Sequence, residues 1–133
     1  MLVVDTSAVL DALAARDPAA GLVERLAGDG DLHGPHLIDT ELLHALRRMV
    51  ARSEMSDERA ADARADFADL TIVRYPHAPL SDRVWELRDS LTAYDATFVA
   101  LAEALGVPLI TCDAALATAP GHGARIEVFD SSG

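Results

Sequence analysis

Short apolar runs alternate with longer stretches of helical periodicity along the chain, and this alternation restricts the possible folds more than any other feature. The apolar runs are residues 2–4, 71–73, 107–111 and 126–129, and residues 31–34 could add a minimal strand. Runs of this length are typical of buried strands. Strands separated by helices predict a three-layer α/β sandwich, in which a short, mainly parallel sheet is flanked by helices.

The helical stretches are recognised by apolar spacing and by capping residues at their ends. They are Thr6–Ala14, a helix opened by Asp17-Pro18 and closed by Gly28, His36–Ser53, a helix from Ser56, one marked by Leu80, Val84, Leu87 and Leu91, Tyr94–Leu105, and a short helix opened by Asp113. No repeat or linker interrupts the 133 residues. We therefore expect one domain over residues 1–130 and a flexible tail at 131–133.

Composition excludes several functions. The formal net charge is −11, which argues against a general nucleic-acid binder. All 11 basic residues are arginine, so any chemistry that needs a lysine is excluded, including P-loop nucleotide binding and receiver-type or phosphatase aspartate chemistry. The single Cys112 allows no internal disulfide, and no apolar run is long enough to cross a bilayer. We expect a cytoplasmic protein without a secretory signal or a membrane partner.

Four acidic residues lie where the fold would bring them together. Asp5 and Asp113 follow predicted strands, and ligands gather outside the carboxyl ends of such strands. Asp95 and Glu41 continue the apolar faces of their helices, where an ionised carboxylate is costly unless it is paired or bound to metal. Each acid alone could be a helix cap or a boundary residue. If the four lie together, each close pair of ionised carboxylates would have a repulsion energy of roughly 3 kcal/mol at an effective dielectric of 20.

A divalent cation would remove that repulsion. Oxygen ligands alone favour Mg²⁺, with Mn²⁺ as a possible substitute, over zinc. A carboxylate-held Mg²⁺ with open coordination positions is typical of enzymes that act on phosphate esters. The sequence therefore predicts a magnesium site built from Asp5, Glu41, Asp95 and Asp113, which would also be the catalytic residues.

The segments around these acids resemble the motifs of PIN-domain ribonucleases, and the compact length is similar to the VapC toxins of VapBC toxin–antitoxin pairs. The matching segments are Val3–Leu10, Asp39–Arg48, Tyr94–Ala102 and Ile110–Leu116. The resemblance implies a magnesium-dependent endoribonuclease that hydrolyses RNA with a metal-activated water. It also implies a VapB-like antitoxin and a homodimer. By position, Thr6, Ser7 and Thr111 would support the metal site.

Two further features bear on substrate binding. Arg47 and Arg48 follow Glu41 on one helix and could contact RNA phosphates, although a solvated helix face explains them equally well. Trp85 lies beside an apolar helical stripe, so we expect it to pack rather than to stack on a base. The competing hypothesis is a non-catalytic PIN-like module that binds RNA or a partner without cleavage. Retention of all four acids favours the enzyme.

Overall fold

The structure is a computed structural model, and it describes residues 1–28 and 30–130. The tail predicted at 131–133 lies outside the described residues. The described strands form one five-stranded sheet in the order β3-β2-β1-β4-β5, and every neighbouring pair is parallel. They are β1 (Leu2–Val4), β2 (Leu32–Pro35), β3 (Ile72–Tyr75), β4 (Leu109–Thr111) and β5 (Ile126–Val128). The predicted α/β class is confirmed.

Helices connect the parallel strands, as such crossovers require. They are α1 (Thr6–Ala14), α2 (Leu22–Gly28), α3 (Leu37–Ala51), α4 (Asp57–Asp69), α5 (Ser81–Glu86), α6 (Ala93–Leu105) and α7 (Ala115–Thr118). Helix α1 packs on α2, α3 and α4, α3 packs on α4, and α5 packs on α6. The α6 helix also contacts β1, β2 and β4 at the centre of the sheet. None of the described helices is both long and apolar enough to cross a bilayer.

The central strands are apolar because both of their faces are covered. Leu2, Val3 and Val4 have no exposed surface, and Leu109 and Ile110 beside them have none either. Branched side chains suit such a strand, since they pack well on a pleated surface. This rigid centre fixes the position of the residues that leave the carboxyl ends of β1 and β4.

Helix ends follow their capping residues. The side chain of Asp5 caps α1, that of Ser56 caps α4, and that of Thr92 caps α6. Gly106 ends α6 with a left-handed φ of 67°, which glycine adopts without a steric penalty. The predicted bounds of α3 (His36–Ser53) and of α6 (Tyr94–Leu105) each lie within two residues of the bounds in the structure, as expected for frayed ends.

Three local predictions were wrong. The helix predicted from Asp17-Pro18 begins at Leu22, because Gly21 has a φ of 82° and the Asp11 carboxylate accepts a 2.8 Å hydrogen bond from the backbone of Ala19. The helix predicted to reach Leu91 ends at Glu86. Trp85 does not pack in the core. It is 67% exposed, and the Arg88 guanidinium lies 4.6 Å from its ring centroid.

Candidate active site

Asp5 is held at the junction of β1 and α1, and it is only 7% exposed. One carboxylate oxygen accepts hydrogen bonds from the Ser7 hydroxyl at 2.7 Å and the Ala8 backbone at 3.0 Å. The other accepts a 2.5 Å hydrogen bond from the Thr111 hydroxyl. Burial raises the pKa of Asp5 above its ordinary value, and these hydrogen bonds offset only part of that rise.

Thr111 and Ser7 link the ends of the two central strands. Their hydroxyl oxygens lie 3.2 Å apart. The Ser7 hydroxyl accepts a hydrogen bond from the backbone of Cys112 at 3.0 Å, and the Thr111 hydroxyl accepts one from the backbone of Asp113 at 2.9 Å. The network fixes the rotamer of Asp5 and the path of the chain after β4. Both hydroxyls, which were predicted to support the metal site, contact the carboxylate of Asp5.

Glu41 reaches the same edge of the sheet from α3. The Thr6 hydroxyl donates a 2.6 Å hydrogen bond to its carboxylate. Glu41 is half-buried, and burial is the main reason that its pKa is raised. The negative charge of Asp95 raises the pKa further, while the hydrogen bond from Thr6 opposes both effects.

Asp95 lies in the first turn of α6, and its electrostatic effects connect the four acids. Its charge raises the pKa of Asp5 as well as that of Glu41. Its own pKa is raised first by burial and then by the charge of Asp113. Asp113 is exposed, and its carboxylate accepts a 3.0 Å hydrogen bond from the backbone of Ala115. Asp95 is therefore the common neighbour of the other three carboxylates.

All four acids line one cleft of about 560 Å³. Its lining consists of acidic, hydroxyl-bearing and apolar side chains with one histidine and one arginine: Asp5, Thr6, Ser7, Leu37, Thr40, Glu41, His44, Ala45, Arg48, Tyr94, Asp95, Phe98 and Asp113. The cleft lies between β1 and β4, where the strand order changes direction, and this is the place where open parallel sheets bind ligands. The structure therefore brings the four predicted acids to one cleft, and their role as metal ligands stays a prediction.

The donor set fits a hard divalent cation, since it offers several carboxylate oxygens that repel one another. Within residues 1–28 and 30–130, however, no three Asp, Glu, His or Cys side chains are spaced to hold one ion together. A cation here would keep several waters, as Mg²⁺ usually does in proteins.

Six cleft residues were not anticipated as site residues: Leu37, Thr40, His44, Ala45, Tyr94 and Phe98. Helical spacing could have indicated His44, because it follows Glu41 by three residues and precedes Arg48 by four. The two arginines that were predicted as RNA contacts lie in different places. Arg48 lines the cleft, whereas Arg47 lines a different groove, between α3 and α4.

Comparison with known proteins agrees with this geometry. The family model of the PIN domain matches residues 2–121, so the chain belongs to the PIN-domain family. Within that family it is similar to the VapC ribonucleases. It is 46% identical to ribonuclease VapC1 of Mycobacterium tuberculosis over 127 residues, which are 95% of this chain and 96% of that one.

A second relative and a solved structure extend the comparison. Ribonuclease VapC12 of M. tuberculosis is 39% identical over 128 residues, covering 96% of this chain and 98% of that one. The crystal structure of VapBC2 from Rickettsia felis, bound to a DNA fragment from their promoter, superposes with a TM-score of 0.70 over 97% of this chain and 98% of that one. At 14% identity, that likeness shows a shared fold.

Proposed function

We propose that this chain is a divalent-metal-dependent endoribonuclease and the toxin of a toxin–antitoxin pair, with residues 1–130 forming one nuclease domain. The observation that supports it best is the position of Asp95, whose charge acts on Asp5 and Glu41 and responds to Asp113 within one cleft. The relatives named ribonucleases supply the substrate class. Mg²⁺ is the expected cation, and Mn²⁺ would substitute for it.

In this proposal the acids divide into two pairs. Asp5 and Asp95 hold the cation directly, because Asp5 is the most buried of the four acids and the charge of Asp95 acts on it. Glu41 and Asp113 complete its shell through waters. When bound, Mg²⁺ supplies the means to orient a phosphate, to lower the pKa of a water and to neutralise charge on the leaving oxygen.

The hydroxyl groups act on the carboxylates rather than on RNA. Thr111 and Ser7 hold both oxygens of Asp5, and Thr6 holds Glu41. Such supporting hydrogen bonds fix ligand orientation and thereby tune metal binding. Arg48, in the same cleft, is the proposed contact to an RNA phosphate.

The alternative is a PIN-like module that binds RNA or a partner without cutting. An RNA-cleavage assay with Mg²⁺, repeated with excess EDTA, distinguishes the two. We expect cleavage by the wild type that EDTA stops and that Asp95→Asn abolishes. Asp89→Asn is the matched control, because Asp89 is exposed and outside the cleft. RNA binding with no metal-dependent cleavage by any of these proteins would favour the module.

A VapB-like antitoxin is the proposed partner, and we propose a homodimer in the cytoplasm. The R. felis structure is that of VapBC2. On this chain, a cleft with four carboxylates and one guanidinium complements a basic peptide segment better than it complements bare RNA. Purification after expression from the native operon tests the partner: a small co-purifying protein is expected, and its absence would contradict the proposal.

A further inference from the structure

The cleft has an apolar side in addition to its acidic one. Tyr94, Asp95 and Phe98 come from α6 and occupy an arc of about 100° on that helix. Phe98 is 2% exposed and forms part of the floor, whereas Tyr94 is 63% exposed at the rim. The Thr92 hydroxyl accepts a 3.1 Å hydrogen bond from the backbone N–H of Asp95. This cap fixes the start of the helix and therefore the positions from which Tyr94 and Phe98 project.

Charge alone would not hold RNA in this cleft. Most nucleic-acid binders obtain sequence-independent affinity from many Lys or Arg contacts to phosphates. Here the lining residues include four carboxylates and one arginine, and the whole chain carries a formal net charge of −11. Even a bound divalent cation would leave the lining acidic. Within this cleft, the affinity for RNA must therefore come largely from contacts that are not charge–charge attraction.

An exposed aromatic ring beside the acids provides such a contact. Unpaired bases stack on aromatic side chains, and every base has a face that can do so. Tyr94 is adjacent in sequence to Asp95, so a base on its ring would belong to a nucleotide next to the phosphate at the carboxylates. A base inside a duplex has both faces covered by its neighbours and could not make this contact.

We infer that Tyr94 is a specificity-determining residue that stacks on an unpaired nucleobase next to the scissile phosphate. This inference rests on the proposed ribonuclease function. It identifies a residue whose ring, rather than its charge or its hydroxyl, contributes to substrate binding.

The test compares Tyr94→Ala and Tyr94→Phe with the wild type. Trp85→Ala is the matched control, since Trp85 is a similarly exposed aromatic residue (67%) outside the cleft. The probe is a fluorescein-labelled 12-nucleotide single-stranded RNA of mixed sequence, used alone and annealed to its complement. Fluorescence anisotropy in Ca²⁺ gives Kd, and a gel verifies that the RNA stays intact during the measurement. Initial rates of cleavage in Mg²⁺ give KM and kcat. Thermal unfolding verifies that each variant is folded.

We expect Tyr94→Ala to raise Kd and KM for the single strand about tenfold, within the 5- to 150-fold range that corresponds to loss of one stacked base. The kcat of Tyr94→Ala should stay near the wild-type value. Tyr94→Phe should bind the single strand as tightly as the wild type does, and Trp85→Ala should leave Kd, KM and kcat unchanged. The affinity for the duplex should be weak and equal in all four proteins.

Two results would overturn the inference about Tyr94 without contradicting the proposed ribonuclease function. One is wild-type cleavage with unchanged Kd and KM in Tyr94→Ala. The other is a fall in kcat alone, which would mean that Tyr94 only positions Asp95. A wild type that neither binds nor cleaves the probe would contradict the proposed function, and this inference with it.

Discussion

The hydroxyl of Thr6 donates a 2.6 Å hydrogen bond to the carboxylate of Glu41, 35 residues away along the chain. It connects the first turn of α1 to the second turn of α3 across the cleft. The bond lowers the pKa of Glu41 against the opposing effects of burial and of the Asp95 charge. It therefore helps to keep Glu41 ionised, as a ligand to a cation must be.

Replacing that hydroxyl should weaken the metal site without unfolding the protein. Thr6→Val preserves shape and removes the donor, so we expect metal affinity or cleavage rate to fall about 10- to 100-fold. The measurement is the Mg²⁺ dependence of RNA cleavage, with Thr71→Val as the control because Thr71 is exposed and outside the cleft. Equal Mg²⁺ dependence in both variants would mean that Thr6 does not support Glu41.

Asp5 should destabilise the metal-free protein at neutral pH. Its folded-state pKa is raised above the ordinary 3.8, mainly by burial. The folded state therefore binds the proton more tightly than the unfolded state, and the free energy of unfolding falls as the pH rises from about 3.8 through the raised pKa. Above that pKa the loss is complete. Protonation or charge removal at Asp5 should therefore stabilise the protein.

The variant Asp5→Asn tests this directly, since asparagine caps a helix as well as aspartate does. In EDTA at pH 7 we expect its Tm to exceed that of the wild type, by about 4 °C for each kcal/mol gained. The difference should shrink as the pH is lowered through the raised pKa of Asp5, because the wild-type carboxyl then takes up a proton. Thermal unfolding monitored by circular dichroism gives both values. A Tm below that of the wild type at pH 7 would contradict the account.

The two neighbouring arginines should behave differently towards RNA. Arg48 lines the cleft and Arg47 does not. Arg48→Ala should weaken binding of single-stranded RNA and reduce the slope of log K against log salt concentration by about 0.7–1, the value for one lost phosphate contact. Arg47→Ala should leave the slope unchanged. If the two variants were to share one slope, Arg48 would not be the phosphate contact.

Much of the fold follows from local signals that the sequence displays. The apolar strands β1 and β4, the start of α4 after Ser56 and the end of α6 at Leu105 all agree with the structure, because each depends on residues within a few positions. The start of α2 could not be predicted in this way. It depends on Asp11, eight residues before Ala19, and on the left-handed backbone of Gly21.

The acids of the candidate site could be predicted from the sequence, whereas several of the other residues that line the cleft could not. Carboxylates at strand ends or on apolar helix faces conflict with their surroundings, so the sequence reveals them. Tyr94 and His44 produce no such conflict, because an exposed aromatic or histidine on a helix is ordinary. The direction in which each points depends on how α3 and α6 pack beside the sheet, and only the tertiary structure supplies that. The exposure of Trp85 was missed for the same reason.

The central claim is that Asp5, Glu41, Asp95 and Asp113 serve one divalent cation site, and calorimetric titration with Mn²⁺ at pH 7 tests it most directly. We expect the wild type and Asp89→Asn to bind Mn²⁺ alike, and Asp5→Asn and Asp95→Asn to lose at least tenfold in affinity while remaining folded by circular dichroism. Equal Mn²⁺ affinity in all four proteins would contradict the claim.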